Sequence, residues 1–559
     1  MPTIRPFKNK RVCLRCGSIR APREGEDLRN HSLITDKVFV ALLLSGFLLR
    51  LTMVWAGLCD RYVVADDAYY YYTIARNAAA GLGLSFDSIN LTNGFHPLYQ
   101  ILLVPVALAA GIVSSDPWVL IHLALTLCSL FDLLSGIVLG MLMIPFFHRR
   151  IVLWGTAAWM LGPWSVLLTL RGLEGSVNVL LLALWLLLVL RHISDFSSQR
   201  RISILLGVLY GLAILARTDN LLYVGAGLIV QSVVVMRGRR HEMGAALLNG
   251  AYGMLAAVVI ALPWAIWNLV HFQTIVQTSA LVKMENVRIY GTLVDSRYSA
   301  LTGLLKQVSA WIWVPVRYIA GEEFGPRRYT WVLIGLGCAA TITPLIQARR
   351  CRSSTPDVAE RALVAGIGTY LLCHVILCTL IVRTYATWYA SFPVFLFSAI
   401  AGIALGSIPA HRTRSVSLLC LALAVLFVVF TYVHFFLRTG IESRGSEVNK
   451  VAGLHLIAQR SPGPHVIGAF NAGSLGYFAP LHGPFRVVNL DGLVNNQVEP
   501  ECEEGRFEQY IVQTTDVLWL ANLAELDIWL NPEQKETILR RFQRLSDNKA
   551  GTDAILLRQ

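Results

Sequence analysis

Long apolar runs separated by short polar breaks dominate the chain up to about residue 437. The first, Val38 to Leu58, is followed by runs at about 117–146, 151–170, 176–192, 203–218, 220–236, 244–270, 330–347, 361–382, 389–408 and 415–437. As helices these runs are of the length that bridges a hydrocarbon core, so the pattern predicts a polytopic α-helical membrane protein with about eleven transmembrane helices. From Gly440 the pattern changes to short apolar stretches between turn residues. His465 to Phe470 and Phe485 to Leu490 read as short buried strands, Asp516 to Leu520 as another, and Pro532 to Phe542 as an amphipathic helix. The expected division is a cytoplasmic basic tail over 1–37, a transmembrane domain over 38–437 and a small extracytoplasmic α/β domain over 438–559.

Charge orders these segments across the membrane. Residues 1–37 carry nine Lys/Arg against four acids, with no apolar core of their own, and read as a disordered arm on the cytoplasmic side. Further basic clusters fall at His148-Arg149-Arg150, Arg200-Arg201, Arg237-Gly238-Arg239-Arg240, Arg349-Arg350 and His411-Arg412. With the N-terminus inside and eleven crossings, every cluster lands inside, provided that a twelfth apolar run, Pro97 to Gly111, does not cross. That run is expected to be an interfacial or re-entrant helix of the first external loop, 59–116. The Arg171-Gly172-Leu173-Glu174 turn, residues 271–329 and everything after 437 then lie outside as well.

Composition agrees. Residues are 55% hydrophobic and 15% charged, and the mean hydropathy is +0.55, too apolar for an ordinary soluble protein. The formal charge of +13 does not indicate nucleic acid: after Gly440 there are 11 Lys/Arg against 15 acids, so the excess sits in the membrane part, where it sets topology. Ten cysteines are scattered, most of them within apolar runs, and imply no disulfide framework. Cys13 and Cys16 lack a second pair at zinc spacing, and no His/Cys ligand cluster points to a metal.

The candidate chemistry gathers in polar breaks on the outer side. Asp66 and Asp67 follow the first span and open an aromatic run from Tyr69 to Tyr72, with Tyr70 a candidate substrate contact. A carboxylate in a partly dry cleft can act as a general base on an acceptor hydroxyl, with its neighbour orienting the acceptor or raising its pKa; a solvated loop with two acids is the alternative. Asn93 and His96 close the same stretch and are candidates for a substrate contact or for satisfying the loop backbone. Glu174, Arg217, Asp219, Arg383 and Tyr385 lie at the outer ends of spans. An arginine there can fork onto a phosphate or pair with a carboxylate. Lys283, Arg288, Arg317, Arg327 and Arg328 are further phosphate candidates. Arg50 and Asp132 fall near mid-depth of the first two spans, and a charge at that depth needs a partner, so the two are expected to pair.

The wording DDAYYYYTIARN, TNGFHPLY, RGLEG, ARTDN and NLDGLVNN, set among many spans and a soluble tail, resembles poorly characterised bacterial members of the GT-C superfamily of membrane glycosyltransferases. That superfamily includes protein O-mannosyltransferases, lipid A aminoarabinose transferases and mycobacterial arabinofuranosyltransferases. The motif likeness is strongest over 66–99. The resemblance implies an integral protein of a bacterial inner membrane that transfers a sugar with inversion from a polyprenyl-phosphate donor to a glycan, lipid or protein acceptor. It also implies a general base in the first external loop, with Asp66 at the matching position because it leads the pair, and Arg217 and Arg383 on the donor phosphate. The superfamily often writes Asp-Glu here, so Asp-Asp leaves the division of labour open, and a divalent cation assists some members and not others. A transporter or flippase of lipid-linked saccharides, a ligase of lipid-linked glycans and a membrane scaffold are the alternatives.

Overall fold

The structure is a computed structural model that describes residues 33–57, 64–192, 199–222, 243–282, 391–406, 463–521, 532–544 and 556–558, with a few isolated positions between them. The helices of the apolar part are α1 (Lys37–Trp55), α2 (Asp66–Ala79), α3 (Pro97–Val113), α4 (Pro117–Met143), α5 (Arg149–Leu161), α6 (Pro163–Leu170), α7 (Gly175–His192), α8 (Arg200–Ala216), α9 (Met243–Phe272) and α10 (Ser391–Gly406). Among the described residues five stretches are helical, long and apolar enough to cross a membrane: α1, α4, the α5–α6 pair, α7 and Gly244–Phe272 within α9. The runs expected at 203–218 and 389–408 form the shorter α8 and α10. Those at 330–347 and 415–437, nearly all of 361–382 and much of 220–236 lie outside the described residues.

Small residues let these helices approach closely, as lipid-embedded packing requires. A Cβ at Gly46 of α1 would sit 2.5 Å from the Met160 carbonyl oxygen, and one at Gly402 of α10 would sit 2.6 Å from the Gly155 Cα. The α5–α6 stretch breaks at Gly162-Pro163, and Arg50 fills the break. Pro163 has no N–H to give the Trp159 carbonyl four residues back. Arg50 supplies that donor from α1, reaching the Trp159 oxygen at 3.4 Å, the Met160 oxygen at 2.6 Å and Ser165 Oγ at 2.7 Å. Its Nε lies 3.5 Å from Asp132 Oδ2, so the two buried charges do pair, with Thr169 Oγ1 donating to the same Asp132 oxygen.

The C-terminal part contains a five-stranded sheet of order β2-β1-β3-β5-β4. Its strands are β1 (His465–Ala469), β2 (Phe485–Asn489), β3 (Trp519–Ala521), β4 (Phe542–Arg544) and β5 (Leu556–Arg558), with helices α11 (Gly473–His482) and α12 (Pro532–Arg541). β1 lies between β2 and β3, both parallel to it, with Ile467 opposite Val487 and Gly468 opposite Leu520. β5 pairs antiparallel with β3 and β4, an edge not expected from the sequence. One face of the sheet joins a single apolar core with α2 and α4 through Leu475, Tyr477, Phe478 and Val487. Phe470, Leu490, Tyr510, Leu520 and Ile538 form a second core on the other side.

Candidate functional site

The loop that follows the first span is built on α2. Its start is pinned to the turn between α6 and α7, where the Ala65 amide donates to the Arg171 carbonyl at 3.1 Å. That turn needs its glycine: Gly172 has φ +74°, and a Cβ there would overlap the Tyr72 hydroxyl. The Gly172 carbonyl accepts hydrogen bonds from Tyr72 at 3.2 Å and Tyr99 at 2.9 Å. α2 is thus tied to the turn before α7, and its two leading acids profit from the helix dipole.

The two acids face different surroundings. Asp66 turns to the C-terminal sheet unit, where its Oδ2 accepts from the Gly473 amide at 3.0 Å and its Oδ1 from the Ser474 amide at 3.0 Å and hydroxyl at 2.9 Å. Asp67 lines a small cleft, open to solvent at its mouth, together with Tyr70, Tyr71, Gly94, Phe95, His96, Leu173, Glu174, Ser279, Tyr389 and Leu493.

Glu174 forms the floor, with Arg217 behind it. Glu174 Oε1 accepts from Arg217 Nη1 at 2.6 Å and lies 3.6 Å from His96 Nε2, while its Oε2 accepts from the Tyr71 hydroxyl at 3.3 Å. Arg217 also forks onto Asp219, Nε to Oδ1 at 3.1 Å and Nη2 to Oδ2 at 2.8 Å, and its guanidinium lies 4.7 Å from the centre of the Tyr389 ring. Both Glu174 and Arg217 are buried. Arg217 is therefore held by two carboxylates, one of the two settings open to it from the sequence. Tyr71 ties the floor to the loop above by accepting the His96 amide at 3.1 Å, and burial, followed by the Glu174 charge, raises its pKa well above that of a free phenol. His96 is further steadied by Gln277, 3.5 Å from its Nδ1 and donating to the Phe95 carbonyl, with Thr218 bonded to the same amide at 3.1 Å.

Tyr70 lines the cleft and reaches the sheet unit, donating to Asp491 Oδ2 at 3.1 Å. Asn93 is buried and serves the backbone more than the cleft: its Oδ1 accepts from the Thr278 amide at 3.1 Å and Asn496 Nδ2 at 2.8 Å. The structure thus brings Asp67, Tyr70, His96 and Glu174 to one cavity, places Arg217 and Asp219 behind it, and turns Asp66 and Asn93 away. Arg383, Tyr385, Lys283, Arg288, Arg317, Arg327 and Arg328 lie outside the described residues.

Tyr71, Gln277, Tyr389 and Leu493 escaped sequence reasoning. Tyr71 stood in the aromatic run, where helical spacing from Asp67 is the one signal that selects it. No local pattern joins Leu493 to the loop. Asp67, Glu174 and Asp219 against Arg217 leave the neighbourhood acidic, and no lysine or arginine stands among the described lining residues. Among the described residues no group of three or more His, Cys, Asp or Glu could hold a metal ion.

Such a site, an acid on the wall of a cleft at the ends of apolar helices, can take a proton from a hydroxyl and stabilise positive charge developing nearby. No family model matches the chain, and no curated protein matches it. Solved structures do. Oligosaccharyltransferase AglB from Archaeoglobus fulgidus, in complex with an inhibitory peptide and a dolichol-phosphate, aligns over 94% of this chain and 75% of its own at TM-score 0.51 and 11% identity. An oligosaccharyltransferase of the same archaeon, tethered to an acceptor peptide containing the NVT sequon, aligns over 95% of this chain and 75% of its own at TM-score 0.52 and 12% identity. ArnT from Cupriavidus metallidurans, in the apo state, aligns over 93% and 96% at TM-score 0.55 and 15% identity. Helix arrangement and the motifs of the first loop lead to the same place: the chain has the fold of the GT-C membrane glycosyltransferases.

Proposed function

We propose that this integral membrane protein transfers a sugar from a polyprenyl-phosphate donor to a hydroxyl of an extracytoplasmic glycan, lipid or protein, with inversion and with Asp67 as the general base. The position of Asp67 on the cleft wall carries the reading, since the carboxylate of its neighbour is occupied by three donors from the sheet unit. In the reaction the acceptor oxygen forms a bond to the anomeric carbon as the carbon–oxygen bond to phosphate breaks. The acceptor proton passes to Asp67, and the electron pair leaves with the polyprenyl phosphate.

Glu174 holds His96 and Tyr71 beside that reaction path, and His96 is the lining group suited to a sugar or phosphate oxygen. The further cations that a donor phosphate needs are assigned to the segments with Arg383, Lys283 and Arg288. The dolichol-phosphate bound by the archaeal neighbour supports a polyprenyl carrier as the lipid. Purified protein supplied with polyprenyl-phosphate sugars tests the reading. Asp67→Asn is expected to lower the transfer rate by about 10²–10⁴-fold, the usual contribution of a general base, at unchanged thermal unfolding. Intact turnover in that variant would remove the mechanism.

A further inference from the structure

The face of α2 that carries Asp66, Tyr70 and Arg76 makes a second contact, and it runs along the carboxyl edge of the C-terminal sheet. In an open sheet with parallel strands that edge is where ligands bind, with an anion at the N-terminus of the helix that follows the first strand. Here α11 is that helix, and the anion at its first amides is Asp66. One turn further along α2, the Tyr70 hydroxyl accepts from the Ala472 amide at 2.8 Å and Asn489 Nδ2 at 3.0 Å while donating to Asp491. Asp491 is buried and also receives the Asn471 amide at 2.7 Å and the Leu493 amide at 3.0 Å. Two turns on, Arg76 Nη1 donates to the Tyr477 carbonyl at 2.9 Å.

The approach is too close for side chains to intervene. A Cβ at Gly473 would overlap the Asp66 backbone, one at Gly476 the Phe86 ring, and one at Gly94 the Leu493 carbonyl. The last of these seats Leu493 in the cleft wall opposite the loop that carries His96.

We propose that Asp66 and Tyr70 are positioning residues, which grip the carboxyl edge of the C-terminal sheet so that α2 aims Asp67 and the loop after Asp491 closes the acceptor side of the cleft with Leu493. The adjacent acids then have separate tasks: one belongs to the reaction, the other to the joint that holds it in place. This rests on the transferase reading for its effect on rate, and on the joint alone for its effect on structure.

The test uses the full-length protein and two readouts, hydrogen exchange of the amides in 473–482 and steady-state kinetics with a polyprenyl-phosphate sugar. Asp66→Asn puts an amide N–H against donors that need an acceptor. Gly473→Ala wedges the same joint from the far side without touching a cleft residue. Both are expected to speed exchange in 473–482. Both should also cut kcat by about 10²-fold, the cost of roughly an ångström of misplacement, with the donor KM within about twofold and the acceptor KM raised. Asp67→Asn is expected to leave exchange unchanged while lowering transfer by about 10²–10⁴-fold. Gly476→Ala, against Phe86, repeats the wedge should Gly473→Ala not fold. Wild-type exchange in Asp66→Asn would overturn the joint, and full transfer by a wedged variant with fast exchange would overturn its link to the reaction. Should the wild type transfer no sugar at all, the exchange arm still decides whether Asp66 holds the sheet unit.

Discussion

Successive residues of a helix point about 100° apart, so Asp66 and Tyr70 share one face of α2 while Asp67 and Tyr71 share the next. The first pair binds the sheet unit and the second faces Glu174 and the cleft. Asp491 shows what the first pair has to hold. Burial raises its pKa above 3.8, and the hydrogen bonds from Leu493, Asn471 and Tyr70 only partly offset this. An acid whose native pKa exceeds its unfolded value binds its proton more tightly when folded, so its contribution to stability is greatest in acid and declines as pH rises from 3.8 through the native value. Thermal unfolding of the wild type and Asp491→Asn in detergent should therefore diverge in that window, the wild type losing stability relative to the variant as pH rises; parallel curves would contradict it. The acids themselves were legible in the sequence as a pair beside a membrane surface. Their separation was not, because it depends on Gly473 and Ser474, which lie some 400 positions away and carry no local sign of the contact.

At the scale of elements, the apolar runs gave the described spanning helices nearly to the residue, because lipid forces the backbone to satisfy itself within a helix. The break at Gly162-Pro163 is a visible exception, and the pairing of Arg50 with Asp132 could be read from depth alone. That the same arginine repairs the break could not, since it takes the crossing of α1 against α5 and α6 to bring them together. The repair predicts a coupling. Arg50→Leu strips Asp132 of its partner and leaves the Trp159 and Met160 carbonyls without theirs, and is expected to destabilise the protein by about 3–5 kcal/mol. Pro163→Ala restores an N–H four residues after Trp159, so in the Arg50→Leu background it should return about 1 kcal/mol, the worth of one hydrogen bond, and have a smaller or opposite effect alone. Additive shifts in the midpoint of unfolding would show that the arginine serves the ion pair and not the break.

For the molecule as a whole, the question is which end of the bundle meets which side of the membrane. Asp36 caps α1 and binds Arg149 at the start of α5, Nε to Oδ2 at 2.5 Å, so both spans begin at one face. Ala65, Arg171, Glu174 and Arg217 meet at the other, some 28 Å away for a 19-residue helix. α3 begins and ends at that second face: His96 contacts Tyr71, and the Pro117 carbonyl just beyond its end accepts the Tyr477 hydroxyl at 2.5 Å while Trp118 packs on Phe478. An apolar helix of 17 residues that returns to the side it left does not cross, which is the arrangement the basic clusters required for all of them to fall on the same side. Among the described residues the buried ion pair within the spans is Arg50 with Asp132, and the remaining titratable clusters crowd the second face, a distribution suited to chemistry at a surface and not to a charged path through the midplane. If that face is the outer one, an impermeant maleimide applied to intact cells should label Ser115→Cys, in the exposed turn after α3. It should reach Phe146→Cys, exposed between α4 and α5, only after permeabilisation. Labelling in the reverse order would put that face on the inner side, either because the whole protein is inverted or because α3 crosses after all.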